Sequence, residues 1–471
     1  MKNNIRKIGS IIILNISFVA LLVLFSLNRG FFDEMMSLVM PLLLVTTSAL
    51  LYTFKFKGDM IVTMSACLLL ETGFMTQVLI LGEDFPKLLP NFLSQSKILL
   101  IATPIIGAIG VLVVSWLMTR DYSNTRRCIT IMIITAVLTA SIMIVLISLG
   151  TEKNDTSAWI EVGTRSVQPT EFLKLLFVFF HAVLWNSPLN KRREFFISFV
   201  LTVCLALMLF AINELGTLLV ILLLWIIMTF IFSGKPIQAV IQLIGTVIAL
   251  LSGYGILFFI HNRVIEMNET GEKSGSVLSH LNEIYNKLHN RVMIVFNEEA
   301  MFSDVEYRNK QGYQFYKARE LILKGGLFGT SSSTKVPVGA SDYAYVGLIL
   351  RCGIVFAILV LVLFFFIFYR SMLRSVINCD NFESIIITGA ALSLILPTFI
   401  NVMGTTNLSF MTGIAIPFIS YGGTNMLVSI FCVMLVIWGT CQEHSELTRR
   451  WINKRKPSDR LSRIKVAPFT R

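Results

Sequence analysis

Long apolar runs without charged residues constrain this chain more than any other feature of its sequence. A helix that crosses the hydrocarbon core of a bilayer needs about 20 predominantly apolar residues. Runs of that kind fall near residues 8–28, 35–54, 60–81, 98–119, 128–149, 171–187, 194–213, 216–234, 237–260, 344–369, 382–402 and 424–441. The sequence therefore predicts an all-α polytopic integral membrane protein with about twelve transmembrane helices.

The composition agrees with lipid as the solvent of this chain. Hydrophobic residues make up 55% of it and charged residues 14%, whereas about one quarter of an average globular chain is charged. These values exclude a disordered chain, a collagen-like chain and a disulfide scaffold. The seven cysteines show no CxxC pattern and no pairing typical of a metal site, so we interpret them as reduced packing residues.

The positive charges indicate how the chain is oriented in the membrane. A net charge of +12 is also seen in nucleic-acid-binding proteins, but here the basic residues lie in short patches between apolar runs. We therefore expect no nucleic-acid partner. The patches occupy alternate loops and both ends of the chain: Lys2, Arg6, Lys7, Lys55, Lys57, Arg120, Arg126, Arg127, Lys191, Arg192, Arg193, Lys235, Arg370, Arg374 and 449–456. The positive-inside rule then predicts that both termini are cytoplasmic, with the N-terminal run retained as a signal anchor.

Two segments on the opposite, outer side are predicted to be more than connections. Residues 150–170 are polar and long enough to fold back into the outer leaflet. Residues 261–343 form a long extracytoplasmic loop before the tenth helix, which is predicted to open with a mobile stretch (268–276) and to continue as a helix (277–296). Loops of such length in compact proteins are usually functional.

Ionisable residues near membrane depth are the first functional candidates, because burying charge in lipid is costly. Glu171 and Lys174 are three residues apart on one helix face, so either they form an ion pair that locks the helix or they bind a substrate. Glu214 lies at a tight turn, where a solvated carboxylate is the alternative to a functional one. His181 stands alone in an apolar run, and we interpret it as a packing residue.

Asp342 is the sharpest candidate, since it ends the long loop directly before an apolar run. In one interpretation it caps the free N–H groups of the tenth helix. In the other, a carboxylate at the outer lipid–water boundary takes a proton from a hydroxyl group of a membrane-bound substrate. The residues alone leave both interpretations open.

The run from Pro417 to Thr424 (PFISYGGT) is too polar and too rich in glycine for a plain membrane span. Non-helical backbone at membrane depth is tolerated only where it lines a cavity or is buried in protein. Two glycines permit close approach of the backbone, and Ser420 and Tyr421 supply hydroxyl groups. The run therefore either contributes to a substrate cavity or is a broken helix packed on its neighbours.

Four blocks, in order along the chain, resemble the SEDS (shape, elongation, division and sporulation) family, the FtsW/RodA/SpoVE group. They are Trp159-Ile160 with Gly163, Gln168-Pro169-Thr170-Glu171 and Lys174; the turn Glu214-Leu215-Gly216-Thr217; Tyr313-Gln314 through Gly325-Gly326-Leu327-Phe328-Gly329 to Asp342-Tyr343; and the PFISYGGT run. The resemblance covers roughly residues 60–442. It implies that residues 1–59 form two additional N-terminal transmembrane helices and that 443–471 form a basic cytoplasmic tail.

The resemblance implies a peptidoglycan glycosyltransferase of the bacterial cytoplasmic membrane. Such an enzyme polymerises glycan strands from lipid II, an undecaprenyl-linked precursor, at the outer face, and works with a class B penicillin-binding transpeptidase. Asp342 takes the place of the family's essential carboxylate, proposed as the catalytic base. The substrate-binding candidates are Trp159, Gln168, Glu171, Lys174, Glu214, Arg291, Arg319, Ser420, Tyr421, Gly422, Gly423 and Thr424.

The pyrophosphate leaving group of such a reaction needs positive charge beside it. Lys174, Arg291 and Arg319 are the candidate side chains, and a divalent cation such as Mg²⁺ is the alternative. The basic tail is expected to bind anionic lipid headgroups.

Three departures from the family's pattern keep other functions open. Ala158 stands where the family has Arg, Asn213-Glu214 where it has Pro-Asp, and Leu350-Arg351 where it often has two Glu residues. A catalytically inactive scaffold that activates a transpeptidase is therefore one alternative, and a flippase for a lipid-linked precursor is another. The polar candidates gather at the outer face rather than at the midplane, which favours the enzyme over the flippase. The motifs are common to the elongation, division and sporulation branches.

Overall fold

The computed structural model describes residues 30–118, 124–153, 156–162, 165–233, 236–270, 275–296, 312–330, 334–377 and 381–441, with isolated positions between 9 and 23. Three sequence predictions fall largely or wholly outside these residues: the first span (8–28), the place of Gly163 in the block that begins at Trp159, and the basic tail (443–471).

The described residues form an assembly of helices, as predicted. The helices are α1 (Phe32–Lys55), α2 (Met60–Asp84), α3 (Leu89–Met118), α4 (Thr125–Leu149), α5 (Thr170–Asn186), α6 (Lys191–Ala211), α7 (Leu215–Phe232), α8 (Pro236–Glu269), α9 (Ser276–Phe296), α10 (Tyr313–Gly325), α11 (Ala344–Cys352), α12 (Ile354–Ile377), α13 (Asn381–Thr405) and α14 (Gly423–Thr440). Among the described residues, nine helices are long and apolar enough to cross a membrane: α1, α2, α4, α6, α7, α8, α12, α13 and α14. The chain is therefore a multi-pass membrane protein.

The helices run back and forth between two faces of the bundle. The face on which α4, α6 and α13 end also carries the segment 150–170 and the start of α11, and we call it the site face. The opposite face carries the described basic residues Lys55, Lys57, Arg126, Arg127, Lys191, Arg192, Arg193, Arg370 and Arg374, and we call it the basic face. In the centre, α2, α5, α13 and α14 share one large cluster of buried apolar side chains.

The prediction of one continuous span over 344–369 is wrong, because the chain breaks at Gly353. This glycine has φ +90°, and a Cβ atom there would lie 2.2 Å from the carbonyl oxygen of Leu327. Cβ atoms built at Gly325 and Gly329 would likewise lie 2.5 Å from Ile349 O and 2.3 Å from Arg351 O. The glycine-rich block after α10 thus packs backbone to backbone on the break, where side chains would clash.

Residues 150–170, predicted to be long enough to fold back into the outer leaflet, form a small antiparallel sheet in their described part. Its strands are β1 (Thr151–Lys153), β2 (Thr156–Val162) and β3 (Arg165–Val167), in the order β1-β2-β3. The backbone N–H of Ser157 donates to Ile212 O at 3.2 Å, so the sheet lies over the turn between α6 and α7. Pairing within a sheet satisfies backbone groups that an irregular segment at the lipid boundary would leave unpaired.

The helix predicted in the long loop over 277–296 is confirmed as α9. It packs along α8, where Ile284 and Tyr285 bury against Leu257, and the Tyr254 hydroxyl lies 2.7 Å from His289 Nδ1. Helix α8 continues to Glu269, so the residues expected to begin the loop, 261–269, are helical. Of the stretch expected to be mobile (268–276), residues 271–274 lie outside the described residues. The extension of α8 gives α9 a partner along which to pack.

Candidate active site

Asp342 lies in the turn that directly precedes α11, two residues before the first residue of that helix. Tyr343 occupies the N-cap position of α11, and no side chain accepts a capping hydrogen bond there. The interpretation of Asp342 as a helix cap is therefore wrong, and its carboxylate is available for another role.

The PFISYGGT run packs against this turn. Its backbone is not helical before Gly423, as predicted, since α14 begins only there. The backbone N–H of Tyr421 donates to Ala340 O at 2.6 Å, and the Ser420 hydroxyl donates to Ser341 O at 2.7 Å. The run thus supports the two residues that precede Asp342.

Two buried amides that the sequence analysis missed fix the same turn. The Asn401 side chain of α13 donates from Nδ2 to Asp342 O at 2.8 Å and to Ile414 O at 2.6 Å. The Gln77 side chain of α2 donates from Nε2 to Ala340 O at 3.2 Å. An uncharged amide in an otherwise apolar span was the available signal, because such groups form hydrogen bonds between helices.

We expect Asn401→Ala to destabilise the protein by about 1–3 kcal/mol, the cost of leaving a buried hydrogen-bond partner unsatisfied. The variant strips the amide donor from two main-chain carbonyls at once. Asn186→Ala is the matched control: Asn186 donates to a single carbonyl, Ala182 O, at the basic end of α5. The thermal unfolding midpoint in detergent measures both, and equal shifts would contradict a special role of Asn401 in holding the turn.

A cavity of about 80 Å³ opens beside the turn. Its wall brings together ten of the thirteen candidates: Trp159, Gln168, Glu171, Lys174, Glu214, Arg291, Asp342, Tyr421, Gly422 and Thr424. They come from β2, the start of α5, the turn before α7, helix α9, the turn before α11 and the PFISYGGT run. Residues far apart in the chain therefore converge on one site at the site face.

Three candidates do not line this cavity. Ser420 is buried and supports the turn, as described above. Gly423 is the first residue of α14, next to the lining residues Gly422 and Thr424. Arg319 is exposed on α10. It would contact a substrate only outside the cavity.

The ionisable side chains of the wall are mostly paired. Lys174 Nζ lies 2.6 Å from Glu171 Oε2, so the predicted ion pair is confirmed and also forms part of the wall. Glu214 is 8% exposed, and its Oε1 accepts from Gln168 Nε2 at 3.2 Å and from Thr217 Oγ1 at 3.0 Å. The interpretation of Glu214 as a solvated turn carboxylate is therefore wrong.

Burial favours the neutral form of two carboxyl groups in the site. It raises the pKa of Asp342 above the ordinary Asp value, although a hydrogen bond from Ser341 and the positive charge of Arg291 oppose the rise. Burial also raises the pKa of Glu214; Thr217 opposes this rise, and the negative charge of Glu171 adds to it. Both groups are thus better proton acceptors, once ionised, than a carboxylate in water.

The carboxylate of Asp342 borders on Gly413, a residue of the segment between α13 and α14. Gly413 has φ +70°, and a Cβ atom built there would lie 3.6 Å from Asp342 Oδ2. The absence of a side chain leaves space beside the carboxylate for another group.

Arg351, a departure from the family's pattern, lies outside the cavity. It is fully buried, and its guanidinium group contacts Asp84 Oδ1 at 2.6 Å and Glu83 Oε2 at 2.7 Å. Asp84 Oδ2 in turn accepts from the backbone N–H of Val336 at 3.2 Å. The change of charge at this position is therefore compensated by the end of α2, and the resulting network ties α2 to the segment that leads to Asp342.

A second departure from the family's pattern, Ala158, is fully buried in β2 beside the lining residue Trp159.

In the described part of the chain, no group of three or more His, Cys, Asp or Glu side chains is arranged to hold a metal ion. The cations on the wall are the side chains of Lys174 and Arg291.

Comparisons with known proteins all match this chain to FtsW, RodA and SpoVE proteins. The family model described as "cell cycle protein", for FtsW, RodA and SpoVE, matches residues 60–444. Stage V sporulation protein E of Bacillus subtilis (strain 168) is 24% identical over 343 residues, which cover 70% of this chain and 84% of that protein. The protein named probable peptidoglycan glycosyltransferase FtsW of the same strain is 23% identical over 303 residues, covering 61% and 67%.

A solved structure supports the fold. It concerns the structural coordination of polymerization and crosslinking by a peptidoglycan synthase complex. One of its chains aligns with a TM-score of 0.57 at 18% identity, over 81% of this chain and 97% of that chain. At this identity the likeness shows the fold.

Proposed function

The chain belongs to the FtsW/RodA/SpoVE family of cell cycle proteins, and we propose that it is a glycosyltransferase that polymerises peptidoglycan glycan strands from lipid II. One observation carries the proposal: a half-buried carboxylate on a fixed turn, that of Asp342, shares a cavity with two cationic side chains at one membrane face. The name of its FtsW relative, probable peptidoglycan glycosyltransferase, supports the same reaction.

In the proposed reaction Asp342 is the general base. Its carboxylate takes the proton from the 4-hydroxyl group of the acceptor sugar as that oxygen attacks the anomeric carbon of the donor. The new glycosidic C–O bond forms while the bond from the anomeric carbon to the lipid pyrophosphate breaks, and the pyrophosphate leaves with the electron pair. A raised pKa suits this role, because the carboxylate holds the proton more firmly during the transfer.

Two side chains of the wall are placed to stabilise the leaving pyrophosphate. Lys174 and Arg291 are cations on the same cavity as Asp342, and charge stabilisation in a partly dehydrated site is stronger than in water. Mg²⁺ typically binds through one or two carboxylates together with substrate phosphates and water. A divalent ion would therefore be held here mainly by the substrate's own pyrophosphate, and polymerisation in EDTA against added Mg²⁺ tests that contribution.

The cavity, at about 80 Å³, is smaller than typical ligand pockets of about 300–1,000 Å³. It therefore has room for the reacting groups of the two substrates but not for a whole disaccharide. We infer that the rest of each substrate lies outside it, along the neighbouring helices.

We propose that the site face is extracytoplasmic and that both termini are cytoplasmic, since, with the long loop before α11 set aside, the positive residues of the connections between helices are more numerous at the opposite face. We further propose that a class B penicillin-binding transpeptidase is the partner, for cell elongation, division or sporulation. The similarity to a chain of a complex that coordinates polymerization and crosslinking supports this partner. Binding of the basic tail to anionic lipids remains a prediction.

The experiment that tests the reaction is the release of polyprenyl pyrophosphate when the purified chain is incubated with lipid II in liposomes. An enzyme releases one carrier for each bond formed. A flippase moves labelled lipid II between leaflets without releasing the carrier, and a scaffold does neither, so either of those results would overturn the proposal.

The pH dependence of polymerisation supplies a prediction. Activity falls as the pH is lowered through the raised pKa of Asp342, because only the ionised carboxylate accepts a proton. Arg291→Gln removes a positive charge that lowers this pKa, so we expect the acid limb of the rate profile to move to higher pH. Arg319→Gln is the matched control, since Arg319 does not line the cavity. Equal behaviour of the two variants would contradict the pairing of Arg291 with Asp342.

A further inference from the structure

A second cavity, of about 260 Å³, lies at the basic face and belongs to no part of the proposed active site. Helix α2 begins beside it at Met60 and ends at Asp84, next to the Asp342 segment. Its 25 residues, at about 1.5 Å per residue, span about 37 Å, close to the thickness of a bilayer, so the two cavities lie toward opposite ends of this helix. The cavity is lined by Lys57, Gly58, Asp59, Arg370, Leu373, Arg374 and Thr440.

Among the described lining residues, Asp59 carries the one carboxylate, and it is already neutralised. Asp59 Oδ1 accepts from the backbone N–H of Ile61 at 3.0 Å, as the cap of α2. Its Oδ2 accepts from Arg370 Nε and contacts Arg370 Nη2, both at 2.6 Å. Asp59 and Arg370 therefore cancel each other's charge, and the remaining charge of the described lining residues is positive.

Arg374 follows Arg370 by one helical turn on α12, but unlike Arg370 it is not paired with a carboxylate of the described residues. Among the described residues its guanidinium group has no hydrogen-bond or ion-pair partner, and its Nε atom is buried from solvent. A partly buried, uncompensated cation is unfavourable unless an anion approaches it. Lys57 adds a second positive charge to the wall, at the backbone angle φ +53° that non-glycine residues rarely adopt.

We propose that this cavity binds a phosphate group, carried by an anionic phospholipid of the leaflet opposite the active site. A guanidinium group matches a phosphate in charge and in hydrogen-bond geometry. The cavity lies at the end of transmembrane helices, at the depth of lipid headgroups, and the exposed Leu373 borders it on the lipid-facing helix α12. Basic cavities between transmembrane helices are known to hold anionic headgroups.

This site is separate from the basic tail, and it does not depend on the proposed glycosyltransferase activity. It is tested by the thermal unfolding midpoint of the purified full-length chain in a neutral detergent. Short-chain phosphatidylglycerol is titrated, with phosphatidylcholine of the same chain length and inorganic phosphate as separate arms. A ligand that binds the folded protein raises the midpoint in a saturable manner.

We expect phosphatidylglycerol, but not phosphatidylcholine, to raise the midpoint, and Arg374→Gln to weaken its apparent affinity about tenfold. Arg127→Gln, an exposed arginine of the same face at the start of α4, should retain the affinity of the parent. If Arg374→Gln does not fold, Lys57→Gln serves as the second variant, with a loss of affinity in the same direction.

The three arms identify where the phosphate comes from. A response to phosphatidylglycerol alone supports the lipid headgroup. An equal response to inorganic phosphate, also lost in Arg374→Gln, supports the phosphate site but overturns its assignment to a lipid. No response of the parent to either anion, or the same response in Arg374→Gln, would overturn the site itself.

Discussion

Asp342→Asn is expected to slow the polymerisation of lipid II by about 10²–10⁴-fold, the usual contribution of a general base. Asparagine has nearly the same shape as aspartate, but its amide does not accept a proton at neutral pH. The hydrogen bonds that fix the turn run from Asn401 and Ser420 to main-chain carbonyls, so they survive the substitution. The loss is therefore expected in the rate, without a loss of folded protein.

A matched control exists at the same membrane face. Asp33, in the first turn of α1, is exposed and lies outside the cavity, so Asp33→Asn should polymerise at the rate of the parent. Strand formation followed on gels, with thermal unfolding to verify folding, measures both variants. Full activity of Asp342→Asn would place the base elsewhere, with Glu214 and then Glu171 as the next carboxylates to change.

Arg351→Met is expected to destabilise the protein by about 3–5 kcal/mol, because it leaves the buried carboxylate of Asp84 without its cation. Arg351 and Asp84 are both fully shielded from solvent in their side chains, and their atoms lie 2.6 Å apart. The substitution retains much of the apolar volume of the arginine, so loss of charge pairing dominates the effect. The thermal unfolding midpoint in detergent reports it.

The exposed ion pair of Arg263 with Glu266 provides the control for Arg351. Its two atoms are 3.0 Å apart, but its side chains are 60% and 64% exposed, and exposed pairs contribute about 0–1 kcal/mol. Arg263→Met should therefore shift the midpoint little. The double variant Arg351→Met with Asp84→Asn should be less destabilised than the sum of the two single variants. Simple additivity would contradict the network that joins α2 to the Asp342 segment.

The membrane helices were predictable because lipid imposes a simple requirement on sequence. The run predicted over 128–149 is α4 (Thr125–Leu149), and the run over 424–441 is α14 (Gly423–Thr440). Hydropathy failed at Gly353, since both sides of that break are apolar. The break depends on a close backbone contact with Leu327, and a contact between distant residues is invisible to a local pattern.

The residues of the site were partly predictable: local motifs identify lining residues, but contacts between distant residues do not appear in a local pattern. Short motifs named nine of the ten candidates that line the cavity, and Arg291 was a candidate for its charge. Neither signal named Asn401 and Gln77, whose acceptors are main-chain carbonyls 59 and 263 residues away. Arg351 illustrates the converse error. It stands only nine residues after Asp342 in the sequence and departs from the family's pattern, which keeps an inactive scaffold open as an alternative, yet its guanidinium group contacts Asp84 and Glu83 at the end of α2.

Polymerisation of lipid II by the purified chain in liposomes tests the central claim most directly. The chain would be measured alone and with a class B penicillin-binding transpeptidase whose own active site has been inactivated. The account predicts glycan strands that lengthen with time and that disappear on digestion with a muramidase. Failure to form strands in either mixture, while the transpeptidase still binds, would contradict the account and identify the chain as a scaffold.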